Sequence, residues 1–248
     1  DGDIFTYVFG IYSSAFDFKN LIPGMVMALG VTAVPAISSA YESDSPKFNL
    51  LINSVLKYTS ILSCFSGIVL ALFPSEILSL FYGNSNGDIA KFGSILFYLA
   101  VTVLPCCLAS SCVFCAQSLG LSKKTILPFA VSGGIRVITN ILLIPKMTIN
   151  ISAVAISNFM GFLIILIWNM IIISKNTGAS FAVKDIFFKP IFCSGTVYFA
   201  VKFIKEAFFT QTSSLLTLTI CGIICSFLTA SLLVLFKCVR ISDIISAK

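Results

Sequence analysis

One arginine constrains this chain more than any other residue. Arg136 stands near the middle of the apolar run ILPFAVSGGIRVITNILLIP, from Ile126 to Pro145. About twenty residues at ~1.5 Å per residue cross a ~30 Å hydrocarbon core, so a helix here puts Arg136 near mid-membrane. Its neighbours at helical spacing, Ser132, Gly133, Thr139 and Asn140, are polar or small, whereas Phe129, Ile138, Leu142 and Ile144 lie on other faces. Arg136 therefore belongs to a polar stripe, and such a stripe must face protein or water.

The remainder of the chain requires the same solvent. Hydrophobic residues make up 58% of it and charged residues 10%, with a mean hydropathy of +1.03. Soluble domains carry about a quarter charged residues, so the composition predicts an all-α, polytopic membrane helix bundle. Periodicity and punctuation place seven spans at about 21–40, 50–73, 92–119, 126–145, 151–173, 190–203 and 215–236. Residues 1–20 read as an aromatic lead-in at the membrane interface, with Tyr12, Phe16, Asp17, Phe18 and Lys19. The opening DGDIF has no basic start and no initiator Met, as expected of a fragment or a trimmed chain.

Small residues recur at steps of four in two spans: Gly24, Ala28, Thr32, Ala36 and Ala40 in the first, and Gly222, Ser226 and Ala230 in the last. Such ridges let helices approach closely. The second span carries Asn53, Lys57, Ser60, Cys64 and Gly67 on one face, so Lys57 either snorkels to the interface or lines a cavity. The third is long, contains Pro105, and is expected to bend; Ser110, Ser111, Gln117 and Ser118 give it a polar edge. In the fifth, Asn158, Gly161 and Asn169 share a sector suited to interhelical hydrogen bonds. Phe181, Val183, Ile186, Phe187 and Phe188 are placed to form an interfacial helix before the sixth.

Basic residues set the expected topology. Lys47, Lys123, Lys124, Lys175, Lys184, Lys189, Lys237, Arg240 and Lys248 fall on one side, and Lys19, Lys91, Lys146 and Lys205 on the other, nine against four. The excess predicts a multi-pass cell-membrane protein with a cytoplasmic C-terminus and the N-terminus of this chain outside. The net charge of +6 gathers in no basic run, which argues against nucleic acid as a partner. With no His, no intramembrane acid pair and no nucleophile-base spacing, the chain is not expected to be an enzyme or to hold a cofactor. Cys112 and Cys115 have metal or redox spacing, but Val and Phe fill the gap and no second pair or His accompanies them. They read as buried small residues, and no metal site is expected.

Three runs carry a family resemblance: LIPGMVMALGVTAVPAISSAYES, then PSEILSLFYG, then AQSLGLSKKTILPFAVSGGIRVITNILLIP. In order and spacing from Leu21 to Pro145 they resemble the C-terminal half of the polysaccharide-export and stage V sporulation protein B branch of the multidrug/oligosaccharidyl-lipid/polysaccharide flippase superfamily. The matching features are Val34-Pro35-Ala36-Ile37, Leu80-Phe81-Tyr82-Gly83, the Leu119-Gly120-Leu121 turn, and Arg136 and Asn140 ahead of Leu143-Ile144-Pro145. There are two departures. Related lipid II flippases carry an Arg five residues before the Pro that matches Pro23, where this chain has Phe18 with Lys19 beside it. The family's Gly-Ala-Ala after the Leu-Ile-Pro turn is here Ser152, Ala153, Val154 and Ala155.

The resemblance implies one lobe of a two-lobed, MATE-like transporter whose N-terminal lobe lies outside this chain, with a central cavity opening alternately to each side. It implies a polyprenyl-linked saccharide as cargo, a polysaccharide or peptidoglycan precursor, among membrane lipids. A mid-membrane guanidinium can pair with the cargo's phosphate in a forked geometry. The candidate binding residues are accordingly Arg136, with Asn140, Ser132, Lys57 and Gln117 supplying hydrogen bonds. Two other readings remain open: a cation-coupled multidrug exporter of the same fold, which would need an intramembrane acid that the seven spans lack, and a seven-span receptor or structural membrane protein.

Overall fold

A computed structural model describes residues 2–82, 88–145, 152–208 and 214–236. The described residues form helices joined by short connections: α1 (Gly2–Glu42), α2 (Phe48–Leu72), α3 (Pro74–Tyr82), α4 (Asp88–Ala100), α5 (Val103–Ser118), α6 (Ser122–Leu143), α7 (Ser152–Thr177), α8 (Lys189–Phe208) and α9 (Ser214–Leu235). Six helical stretches are long and apolar enough to cross a membrane, and α4 with α5 make a seventh if that bent pair counts as one span. The protein is an all-α, polytopic membrane helix bundle. The turn residues Gly83, Asn84, Asn86 and Gly87, the 146–150 turn with Lys146, and Lys237, Arg240 and Lys248 lie outside the described residues, as does the Lys91 side chain.

Helix α5 occupies the centre because it has no large face. Ala109, Ser111, Cys112, Cys115 and Ala116 are small and all buried, so α1, α2 and α7 can pack around it. The Thr59 and Ser111 hydroxyls hydrogen bond at 3.0 Å between α2 and α5. A β-carbon on Gly30 of α1 would stand 2.8 Å from the Phe114 ring, so glycine sets how closely α1 approaches α5. Cys112 and Cys115 are buried in this core.

The expected bend in the third span is a 43° break between α4 and α5 at Val101 and Thr102. Pro105 accounts for its position: it has no N–H for the carbonyl four residues back, that of Val101, and its ring crowds that carbonyl. Thr102 closes the corner by donating both its N–H (2.9 Å) and its hydroxyl (2.7 Å) to the Leu99 carbonyl.

Three expectations are corrected. Residues 2–20 are not a separate segment: α1 runs unbroken from Gly2 to Glu42, and its 41 residues at ~1.5 Å each exceed a ~30 Å hydrocarbon core, so part of the helix lies beyond it. Pro23 is accommodated inside this helix, as proline can be where neighbouring helices surround a membrane segment. Asp17 lies on the exposed side of α1, within its stretch Tyr12–Glu42. In α9 the packed ridge is Thr217, Cys221, Cys225 and Thr229, one residue ahead of the expected Gly222, Ser226 and Ala230. The ridge of Gly24, Ala28, Thr32 and Ala36 is exposed along its length, and of that series only Ala40 is buried.

Helix α8 runs beside α2 and is fastened to it at both ends. At one end the Asn53 amide donates to the Ser180 carbonyl (2.8 Å) while its oxygen accepts the Ala182 N–H (2.7 Å), and Asn49 accepts the Ser180 N–H (3.1 Å). A π-helical turn, Lys184–Phe188, then leads into α8; Ile186 is buried and Phe188 exposed, so the expected interfacial helix is the first turn of a spanning one. At the other end Lys205 pairs with Glu76 of α3 at 2.6 Å and donates to the Leu72 carbonyl at 2.7 Å.

Candidate functional site: a cationic cluster between α1, α5, α6 and α7

Helix α6 touches the bundle along a single stripe. Its buried residues, Thr125, Pro128 and Ser132, step by three and four, and the same line continues through Arg136 and Asn140. The predicted polar stripe thus faces protein, against α7. Ser132 donates to the Gly161 carbonyl at 2.9 Å, and one turn on the Arg136 side chain crosses Gly161 directly. A β-carbon there would overlap Arg136 Nε and stand 2.8 Å from Cγ. The guanidinium then reaches the Phe162 ring, with Cζ 4.2 Å from its centroid.

A second cation approaches the same ring. Lys19, on the α1 face that also buries Ala15, Pro23 and Val26, is only 1% exposed. Its Nζ lies 5.1 Å from the centroid of Phe162 and 5.3 Å from that of Phe16. It donates to Asn20 Oδ1 at 3.2 Å and to Cys106 Sγ of α5 at 3.8 Å. Tyr12 stacks on Phe16 at 5.6 Å, and both pack against the buried cluster that includes Ala155 of α7, which ties this part of α1 to the site.

The cluster is unbalanced. Among the described residues no carboxylate pairs with Lys19 or Arg136, since the ion pairs present join Lys189 to Asp185, Lys202 to Glu206 and Lys205 to Glu76. Arg136 Nε and Nη2 and Asn140 Oδ1 are buried without a hydrogen-bond partner. Two like charges held near one ring repel, and each desolvated cation–π contact returns at most about 2 kcal/mol. The ring therefore offsets the repulsion without neutralising it, and an oxyanion between the two cations would turn the balance favourable.

Of the residues expected to act with Arg136, Ser132 and Asn140 share its stripe, whereas Lys57 and Gln117 do not join it. Lys57 lies toward the end of the bundle that carries the α7–α8 connection, where its charge couples to Asp185. Gln117 is exposed in the last turn of α5. Asn169, expected to bond between helices, donates instead to the Ile165 carbonyl of its own helix at 2.8 Å. Lys19 and Phe162 were not anticipated. The signal for Lys19 was its place one turn before Pro23 in a helix whose apolar face continues through Val26; Phe162 gave none beyond following Gly161.

No protein-family model matches the chain, and no curated protein matches it.

Proposed function

We propose that this protein is a membrane transporter that moves a lipid-linked saccharide across the bilayer by alternating access, with the pyrophosphate of the cargo held between Lys19 and Arg136. The observation that carries this reading is the pairing of two cations on the Phe162 ring with no described acid to neutralise them. Intramembrane cations of this kind mark substrate or ion paths. The resemblance of Leu21–Pro145 to the polysaccharide flippases supports it, and so does the exposed small-residue face of α1, which a second lobe would cover. In this reading the C-terminus is cytoplasmic.

The test is flipping of a fluorescent polyprenyl-diphosphate saccharide in vesicles holding the full-length protein. In vesicles labelled in both leaflets, Arg136→Ala and Lys19→Ala should each leave the inner-leaflet label protected from an external quencher, with Arg136→Lys intermediate. Undiminished flipping by both alanine variants would reject the site.

Asp17, exposed on α1 within the stretch Tyr12–Glu42, is the acid that a second reading, cation-coupled export, would use. Loss of pH- or sodium-driven drug efflux in Asp17→Asn, with saccharide flipping absent from the wild type, would decide for it.

A further inference from the structure

Between its two fastenings α8 stands away from the bundle. The gap is a cleft of about 350 Å³, walled by Ser63, Gly67 and Ala71 of α2 and by Ser194, Gly195 and Tyr198 of α8, with the α4–α5 break behind it. Apart from Tyr198 these wall residues are small, which is why a void remains where two helices run side by side. A β-carbon on Gly195 would meet nothing within 4 Å. Among the described residues no charged side chain lines the cleft. Ser63 and Ser194 turn their hydroxyls onto their own helices, donating to the Ser60 carbonyl at 3.0 Å and the Ile191 carbonyl at 2.8 Å. At its edge Val101 and Ile191 are 57% and 46% exposed, so it opens to the surroundings.

These surroundings are hydrocarbon, because both walls belong to membrane-length helices, Phe48–Leu72 and Lys184–Phe208. An apolar void stays dry, and phospholipid acyl chains are the most abundant apolar groups at that depth able to enter from the side. The volume lies within the ~300–1,000 Å³ of small-molecule sites. We propose that the cleft between α2 and α8 holds one acyl chain of a bilayer phospholipid as a resident wedge. The polar fastenings at Asn53 and Lys205 keep α8 in place while the chain supplies the missing packing between them. The cargo proposed above plays no part in this inference.

The probe is phosphatidylglycerol with a mid-chain diazirine, photolysed in vesicles containing the full-length protein, with adducts mapped by mass spectrometry. Adducts should concentrate on residues 63–71 and 191–198 relative to Ile223 and Phe227 of α9, whose side chains are exposed. Gly195→Leu fills the void, displaces two or three chain methylenes and should lower cleft labelling roughly fifteen- to sixtyfold, leaving the α9 adducts unchanged. Should that variant fail to fold, Ser194→Leu fills the same space and carries the same expectation. Labelling no denser in the cleft than on α9, or undiminished in the filled variant, would overturn the proposal. Equimolar polyprenyl phosphate that abolishes cleft labelling would overturn the assignment to phospholipid.

Discussion

Lys19 and Arg136 lie on helices far apart in sequence, yet their charged groups rest on one ring, 5.1 and 4.2 Å from the centroid of Phe162. Replacing that ring by an aliphatic side chain removes both cation–π contacts and leaves the repulsion. Phe162→Leu should therefore destabilise the protein by about 2–3 kcal/mol, and Phe162→Trp by much less. Thermal unfolding in detergent checks this, and an added oxyanion should restore more stability to the leucine variant than to the wild type.

Gly161 exists for Arg136. Because a β-carbon at Gly161 would overlap the arginine side chain, Gly161→Ala should cost about 1–3 kcal/mol through displacement of Arg136. Truncating the arginine removes the obstacle, so Gly161→Ala should be nearly neutral in an Arg136→Ala background. A double-mutant cycle that comes out additive would contradict the contact.

The Asn53 side chain replaces a backbone partner for the chain entering α8. Asn53→Ala removes the bonds of the Ser180 carbonyl and the Ala182 N–H, both exposed to solvent, at a cost of about 1 kcal/mol. Hydrogen exchange should accelerate at residues 180–186 while the centre of α5 stays protected.

Much of this architecture was legible in the sequence and some of it could not be. The stripe Ser132, Arg136, Asn140 was visible because a helix repeats at that spacing and because charge is costly in hydrocarbon. The α4–α5 break was visible in Pro105. Lys19 was hidden because aromatic residues with scattered charges look the same at an interface and at the start of a long helix; only the packing of α1 on α5 and α7 decides between them. In α9 the series Cys221, Cys225, Thr229 and Gly222, Ser226, Ala230 are both small and both step by four, and the position of α8 selects the first. Lys57 reads as a possible cavity residue, but a lysine near a helix end has both options until the elements packed around it are known.

The Lys205–Glu76 pair joins α8 to the α2–α3 corner, and its side chains are 25% and 13% exposed. Partial exposure tempers its worth, so Glu76→Gln should cost only about 1 kcal/mol. Lys205→Met should cost more, because the Leu72 carbonyl also loses its donor and the Glu76 carboxylate is left unpaired. Chemical denaturation of the two variants side by side gives the order.

Binding of a short-chain polyprenyl diphosphate to the purified full-length protein tests the central claim most directly. Each lost cation removes a charge-assisted contact of about 1.5–3 kcal/mol, so Lys19→Gln and Arg136→Gln should each raise Kd roughly ten- to a hundredfold. The same variants should bind the uncharged polyprenol as the wild type does. If the diphosphate binds both variants with wild-type affinity, the Lys19–Phe162–Arg136 cluster is not its site.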